Sequence, residues 1–215
     1  MTAEQIEKRA VGEAAAQLPQ DGMKVGLGTG STVAELLPAL AARRLDIRCA
    51  ATSPATEATA RALGLRVEPL DALGTLDIAI DGADQVSPDG WLVKGGGGAH
   101  TREKIVAAGA LRFVVIVSSD KLVESIGAPV PLELLEFGVE LTLAAVAPAA
   151  LRDVPPSPDG NLIADYLGPV GDPATLAARL SATPGVVEHG LFPAALVSDV
   201  LVAHGSEVSA LRLTA

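Results

Sequence analysis

A lysine, four consecutive glycines and a glutamate fall close together in the run Lys94-Gly95-Gly96-Gly97-Gly98-Ala99-His100-Thr101-Arg102-Glu103. Glycines leave the backbone bare, so a ligand or another chain segment can approach its amides. An ammonium beside bare N–H groups can steady a developing oxyanion, and a carboxylate can move a proton. A loop entering a solvated helix is the plainer account of the same residues. Glu103 also falls where a helix begins, with Thr101 expected as its N-cap. Acids are favoured there by the helix dipole, which lowers their pKa. A working base at this position therefore needs burial or a neighbouring carboxylate to lift it again.

Two further clusters have the right chemistry to join that run. Asp81-Gly82-Ala83-Asp84 follows an apolar stretch, Leu76 to Ile80. Paired carboxylates push their pKa values apart, which suits proton handling. They could also hold a metal, but no His or further carboxylate lies nearby at ligand spacing; an Asx-type turn is equally open. Gly28-Thr29-Gly30-Ser31-Thr32 lies between an expected strand and an expected helix. Free amides, hydroxyls and a helix N-terminus make an anion cradle suited to phosphate. No Lys follows the last glycine, so it is not a Walker A loop, and the second half of a dinucleotide fingerprint is missing. A tight turn with Ser31 or Thr32 as N-cap is the alternative. Lys121 follows Ser118-Ser119-Asp120 after another apolar run, whereas Lys8 reads as a solvated lysine on the first helix. His100, His189 and His204 are scattered and read as structural or exposed, and nothing suggests a Ser/His/Asp or Cys/His nucleophile.

The elements that must position these groups alternate. Helices are expected over 3–18, 32–43, 54–63 and 101–108, with strands over 23–27, 45–52, 76–80, 91–93 and 113–117. Strands alternating with helices argue for an α/β fold with a mainly parallel sheet covered on both faces. After residue 127 prolines break the chain into shorter pieces. Strands at 131–137, 161–167 and 186–191 and helices at 139–150 and 173–180 give a small α+β module. A strand over 195–203 is expected to return to the main sheet, with a last edge strand at Leu211 to Leu213.

Composition narrows the classes. The chain has 215 residues, 49% hydrophobic, and a formal net charge of -10. The length fits one large domain or a domain with an appendage. No basic patch suits nucleic acid or an anionic membrane, so an anion must be caught locally. No apolar run approaches the ~20 residues of a membrane span, and the N-terminus lacks a signal-like apolar region. The single cysteine, Cys49, excludes an intramolecular disulfide and reads as a buried strand thiol. A cytoplasmic enzyme or binding protein is the default expectation.

Together the three loops offer a phosphate cradle, two carboxylates, a glutamate and two lysines, a set able to bind a phosphorylated sugar and move a proton between adjacent carbons. At this point the sequence closely resembles type A ribose-5-phosphate isomerases. The residues that carry the resemblance are Gly28 to Thr32, Asp81 to Asp84, Lys94 to Gly97 with Thr101 to Lys104, Lys121, and Pro184 to Phe192. The resemblance implies a Rossmann-like domain (residues 1–127 and 204–215) and a ferredoxin-like module (128–203) serving as lid and oligomer contact. It implies reversible interconversion of D-ribose 5-phosphate and D-ribulose 5-phosphate, in the non-oxidative pentose phosphate pathway, with no metal or nucleotide cofactor. Glu103 would be the base acting through an enediolate. Asp81, Asp84 and Lys94 would orient hydroxyls, help ring opening and steady the oxyanion. Thr29, Gly30, Ser31 and Thr32 would hold the phosphate, with Lys121 and Lys8 beside it, while Gly82, Ala83, Gly95, Gly96 and Gly97 line the substrate. The partner would be the sugar phosphate, and the chain a homodimer or homotetramer. The sequence departs from common family usage at Gly98, at His100 and at Gly127-Ala128-Pro129. An amino-sugar phosphate deaminase, a CoA transferase or a non-catalytic sugar-phosphate sensor are the competing readings. The sensor would need a DNA-binding segment, and no basic recognition helix is found.

Overall fold

The computed structural model describes residues 1–211. The first part of the chain runs α1 (Ala3–Ala15), β1 (Lys24–Leu27), α2 (Ser31–Ala42), β2 (Arg48–Ala51), α3 (Pro54–Ala62), β3 (Arg66–Val67), α4 (Leu70–Leu73), β4 (Ile78–Asp81), β5 (Gln85–Val86), β6 (Leu92–Val93), α5 (His100–Ala108) and β7 (Phe113–Ser118). It continues as β8 (Val130–Leu134), α6 (Val139–Ala145), β9 (Ala149–Leu151), β10 (Leu162–Tyr166), α7 (Pro173–Ser181), β11 (Val186–His189), β12 (Leu191–Phe192), β13 (Asp199–His204) and β14 (Glu207–Leu211). The expected helices and strands of the first half are present, with ends moved by a few residues.

Local chemistry explains several boundaries. Thr2 caps α1 by accepting from the Gln5 amide, and the Gln5 side chain accepts from the Thr2 amide, a capping box. Ser53 caps α3, with Pro54 in the first turn, and Asp172 does the same for α7 ahead of Pro173.

Seven strands form the main sheet in the order β14-β13-β7-β4-β1-β2-β3. All its pairings are parallel except that of the edge strand β14 with β13. Strand side chains alternate between two cores. Ile78, Ile80, Val114 and Ile116 join Val33, Leu36, Leu37 and Leu40 of α2 on one face. Ala79, Phe113, Val115 and Val117 join Val106 and Ala107 of α5 on the other. Such two-sided burial is what the unbroken apolar runs of β4 and β7 require. From β1 the chain proceeds outward through β2 and β3, and from β4 it proceeds the opposite way. The order therefore reverses between β1 and β4, where a parallel α/β sheet opens a crevice at the carboxyl ends of its strands.

The later part of the chain forms a four-stranded antiparallel sheet, in the order β11-β8-β10-β9. With α6 and α7 it follows the ferredoxin-like β-α-β-β-α-β pattern. The helix expected over 139–150 ends at Ala145, and Ala149–Leu151 is a strand instead. Pro148 lacks the N–H that a continuing helix needs. The single strand expected over 186–191 divides at Gly190. β11 stays in the small sheet, and β12 crosses to pair with β6 in a three-stranded sheet, β12-β6-β5. The strand expected over 195–203 starts later: Ala194–Leu196 is a 3-10 turn, and β13 pairs with β7 in the main sheet. Arg212 and Leu213 of the expected edge strand lie outside the described residues, and β14 ends at Leu211. No helix among the described residues is long and apolar enough to cross a membrane.

The cores predict a sharp contrast between two leucines. Leu36 is fully buried, and Leu111 is 75% exposed. Leu36→Ala is expected to lower unfolding free energy by about 2–5 kcal/mol, and Leu111→Ala to change it by less than about 0.5 kcal/mol. Urea unfolding of the two variants checks this.

Candidate active site

The carboxyl ends of β1 and β4 lie side by side, because Leu27 pairs with Ile80 and the Gly28 amide donates to the Ile80 carbonyl at 3.0 Å. Asp81, the last residue of β4, is thereby set against the loop that follows β1. Its Oδ1 accepts from the Thr29 amide at 3.1 Å and from the Gly82 amide at 2.7 Å. The approach leaves no room for a side chain at position 28, where a Cβ would come within 1.9 Å of the Asp81 carboxylate. Gly28 is thus needed for closeness, not for flexibility.

Lys94 enters from β6, with its amide donating to the Gly190 carbonyl at 2.9 Å. Its ammonium is 2.9 Å from Asp81 Oδ2 and 3.3 Å from Glu103 Oε2, and it donates to the Gly82 carbonyl at 2.5 Å. All three side chains are almost wholly buried, at 3–4% exposure. The Lys94–Glu103 approach is close enough for charge pairing but poorly aligned. Glu103 Oε2 consequently has no hydrogen-bond partner among the described residues.

Glu103 lies in the first turn of α5, yet the dipole does not decide its acidity. Burial pushes its carboxyl up to about 8, and the negative charge of Asp81 adds to that, against the opposing pull of Lys94. Burial also raises Asp81, with Lys94 and the two amides opposing. Burial alone would lower Lys94, but Asp81 and Glu103 outweigh it and its net shift is upward. The N-cap of α5 is Ala99 and the helix begins at His100, so Thr101 does not cap it as expected. The Thr101 hydroxyl instead donates to Glu133 on β8.

These groups face a cleft of about 250 Å³ lined by Lys8, Thr29 to Thr32, Gly82 to Asp84, Lys94 to Gly97, Glu103 and Lys121. Every candidate site residue named from the sequence except Asp81 is in that lining, and Asp81 lies directly behind it, bonded to Lys94. Within the cradle, Ser31 and Thr32 begin α2. The Thr29 hydroxyl already shares a hydrogen bond with the Thr52 hydroxyl at 2.7 Å. Asp84 accepts from the Gly96 amide at 2.8 Å, which draws the glycine run against the end of β4.

Lys8 and Lys121 are brought together by Glu7, which no sequence signal distinguished from an ordinary helix acid. Its carboxylate accepts from the Ser119 amide at 2.8 Å and the Gly205 amide at 3.0 Å. Those bonds, Gly205 first, hold its pKa below the usual range. Lys8 and Lys121 are paired with Glu4 and Asp120. His100 and His189 are buried and His204 is exposed. Burial lowers both buried imidazoles to about 4. Cys49 is a free buried thiol, pushed by burial up to about 12. Among the described residues no three His, Cys, Asp or Glu side chains converge as a metal-ligand set.

A buried, raised carboxyl makes stability depend on pH. The folded Glu103 value, about 8, is above the ordinary 4.5. The native state therefore holds an extra proton between those values, and stability falls as pH rises through that window. Glu103→Gln removes this ionisation. It should melt higher than the parent at pH 9, by roughly 2–4 °C per kcal/mol relieved, with the gain fading toward pH 4.5. Calorimetric melts across pH check this.

Comparison with known proteins adds independent information. Residues 48–207 match the sequence profile of ribose 5-phosphate isomerase A (phosphoriboisomerase A). A ribose-5-phosphate isomerase A of Caulobacter vibrioides is 44% identical over 96% of this chain and 97% of its own length. The structure of ribose 5-phosphate isomerase A from Methanocaldococcus jannaschii is similar with a TM-score of 0.91 at 34% identity, covering 98% of this chain and 99% of that one. A D-ribose-5-phosphate isomerase solved with phospho-erythronic acid is similar with a TM-score of 0.91 at 31% identity, covering 98% and 99%.

Proposed function

This chain belongs to the ribose 5-phosphate isomerase A family, and we propose that it interconverts D-ribose 5-phosphate and D-ribulose 5-phosphate by proton transfer through Glu103. The observation that carries this reading is the buried triad, in which one ammonium is shared by a carboxylate and a raised carboxyl, beside a cleft also lined by two lysines and a helix N-terminus.

The phosphate is held by the amides and hydroxyls opening α2 at Ser31 and Thr32, with Lys8 and Lys121 exchanging Glu4 and Asp120 for the dianion. Phospho-erythronic acid, bound by a structurally similar isomerase, is an acid phosphate of related shape. The open-chain aldose then extends toward the triad. Glu103 in its ionised form removes the C2 proton, and the electron pair forms the C1–C2 double bond of an enediolate. Lys94 faces the oxygen on which charge accumulates. The same carboxyl returns the proton to C1 while the hydroxyl proton passes from O2 to O1, so the exchange is redox-neutral overall. Asp81 keeps Lys94 charged and in place. Asp84, at the cleft wall, orients a substrate hydroxyl and assists ring opening.

The proposal extends to the assembly and setting of the enzyme. It places the reaction in the non-oxidative pentose phosphate pathway, in the cytoplasm, where the lone buried thiol stays reduced. It takes the ferredoxin-like module as the contact of a homodimer or homotetramer. Phe137 and Leu141 are 94% and 80% exposed there, with Leu135 and Leu167 also exposed, and such surface is usually covered. Light scattering of the purified protein is expected to give two or four times the 21.7 kDa chain mass. A monomer at micromolar concentration would remove this part of the proposal.

The central test is direct. The protein incubated with ribose 5-phosphate should yield ribulose 5-phosphate, and absence of product would overturn the reading. Glu103→Gln should lower kcat by at least about 10²-fold, the range of a positioned acid–base group, with KM near that of the parent. Because the base must be ionised, kcat/KM of the parent should climb through about pH 8, the value of Glu103 in the free protein. A profile flat from pH 6.5 to 9 would place the base elsewhere.

A further inference from the structure

We propose that Arg152 is a positioning residue for Asp84, acting across a single peptide unit of the glycine run. Arg152 follows β9, and its amide donates to the Ile163 carbonyl at 2.9 Å, which anchors it to β10. Its guanidinium grips Asp165 of β10 with two bonds, Nε to Oδ2 at 2.7 Å and Nη2 to Oδ1 at 2.6 Å. The remaining nitrogen, Nη1, donates to the Gly95 carbonyl at 2.9 Å and the Gly96 carbonyl at 3.2 Å. Arg152 is absent from the lining of the cleft, so it works through what it holds.

The Gly95 carbonyl and the Gly96 amide belong to the same peptide unit. Its oxygen points to the guanidinium of Arg152, and its N–H points to Asp84 Oδ2 at 2.8 Å. A cation, a peptide dipole and an anion are thus aligned in series, and hydrogen bonds in series polarise and strengthen one another. The unit cannot rotate without breaking both bonds. The packing accepts no bulk: Gly95 has φ +104°, and a Cβ on Gly96 would lie 2.8 Å from Asp84 Oδ1. Backbone bonds hold the Asp84 amide, which donates to the Val93 carbonyl at 2.7 Å. The peptide–guanidinium series then directs the carboxylate at the end of an otherwise exposed side chain.

The fork of an arginine suits this place. It binds a carboxylate with two nitrogens in one plane and leaves a third for the carbonyls, which a lysine cannot do. The ion pair is mostly withdrawn from water, with Arg152 and Asp165 side chains 18% and 19% exposed. In this way the small module, which supplies both, aims a carboxylate that stands in the loop between β4 and β5.

The proposal rests on Asp84 serving the isomerisation, and the experiment separates the two. In the activity arm, Arg152→Met is expected to lower kcat/KM by roughly 10–100-fold, as a misplacement of about 1 Å does. Asp84→Ala should lower it at least as much. If Arg152 acts through Asp84, adding Arg152→Met to Asp84→Ala should lower the rate less than about threefold further. Losses that multiply would overturn the proposal, because a general weakening of the fold acts on either background. In the exchange arm, which needs no substrate, the Gly96 amide of Arg152→Met should exchange with deuterium about tenfold faster or more, while distant amides of β7 keep their rates. Unchanged exchange at Gly96 would overturn the proposal whatever the enzyme does. Should the methionine variant fail to fold, Asp165→Asn loosens the guanidinium and is expected to move both readouts in the same direction. If the parent protein fails to isomerise ribose 5-phosphate, the functional reading falls, and the exchange arm still decides whether Arg152 holds the peptide.

Discussion

Lys94 carries an ammonium into a region nearly closed to water, and a lone charge there would be strongly unfavourable. Two carboxylates meet it, Asp81 at 2.9 Å and Glu103 at 3.3 Å. Three ionisable groups with one positive charge cannot all be satisfied in their charged forms. The conflict is settled on Glu103, whose oxygen lacks a hydrogen-bond partner and whose carboxyl holds its proton to about pH 8. Asp81 has two amides besides the lysine and is the natural partner of the charge. In the proposed mechanism the inequality between the two acids makes one a support and the other a base, the general device by which paired carboxylates divide their roles.

Much of the surrounding architecture follows from holding that triad together. Asp81 needs a parallel strand ending beside β1, and the neighbouring loop needs Gly28 to let the carboxylate in. Lys94 needs β6, and β6 is paired with β12, which returns from the small module. Glu103 needs α5 at a fixed height. Thr101 to Glu133, Arg102 to Asp159 and Lys104 to Glu188 tie that helix to the small module, and Phe192 lies under the Lys94 and Lys104 ammonium groups, at 5.6 and 4.9 Å. The small module is therefore part of the scaffold of the site as well as a neighbour of it. Such second-layer support is what keeps reacting groups within the narrow tolerances that proton transfer demands.

Protein-wide charge plays little part in the proposed capture of a phosphate. The net charge is -10, and the cleft gathers its own cations, Lys8 and Lys121, by bonding α1 to the turn after β7 through Glu7. Each lysine rests against an acid, which limits the field the cleft presents. Local amides, a helix terminus and two lysines are sufficient equipment for a phosphate, as anion sites on acidic proteins show in general.

The sequence by itself determined which residues gather and on what kind of sheet. Alternating apolar strands and helices dictate a parallel layer, and glycine-rich or acidic turns at strand ends mark where that layer opens. Those signals are local, so they survive in one dimension. The small module was less legible, since Pro148 turns an apolar helical pattern into a strand and Gly190 sends one strand into two sheets. Roles set by distance were not legible at all. Thr101 has the look of a cap, and only the approach of β8 shows its hydroxyl spent on Glu133. Glu7 and Arg152 resemble any surface charges until folding brings residues 119 and 205 to the one and residues 95 and 165 to the other. The acidity of Glu103 is the clearest case. Its position in a first helical turn argues for a low pKa, and tertiary burial beside Asp81 reverses the sign, because desolvation of a charge outweighs a helix dipole once water is excluded.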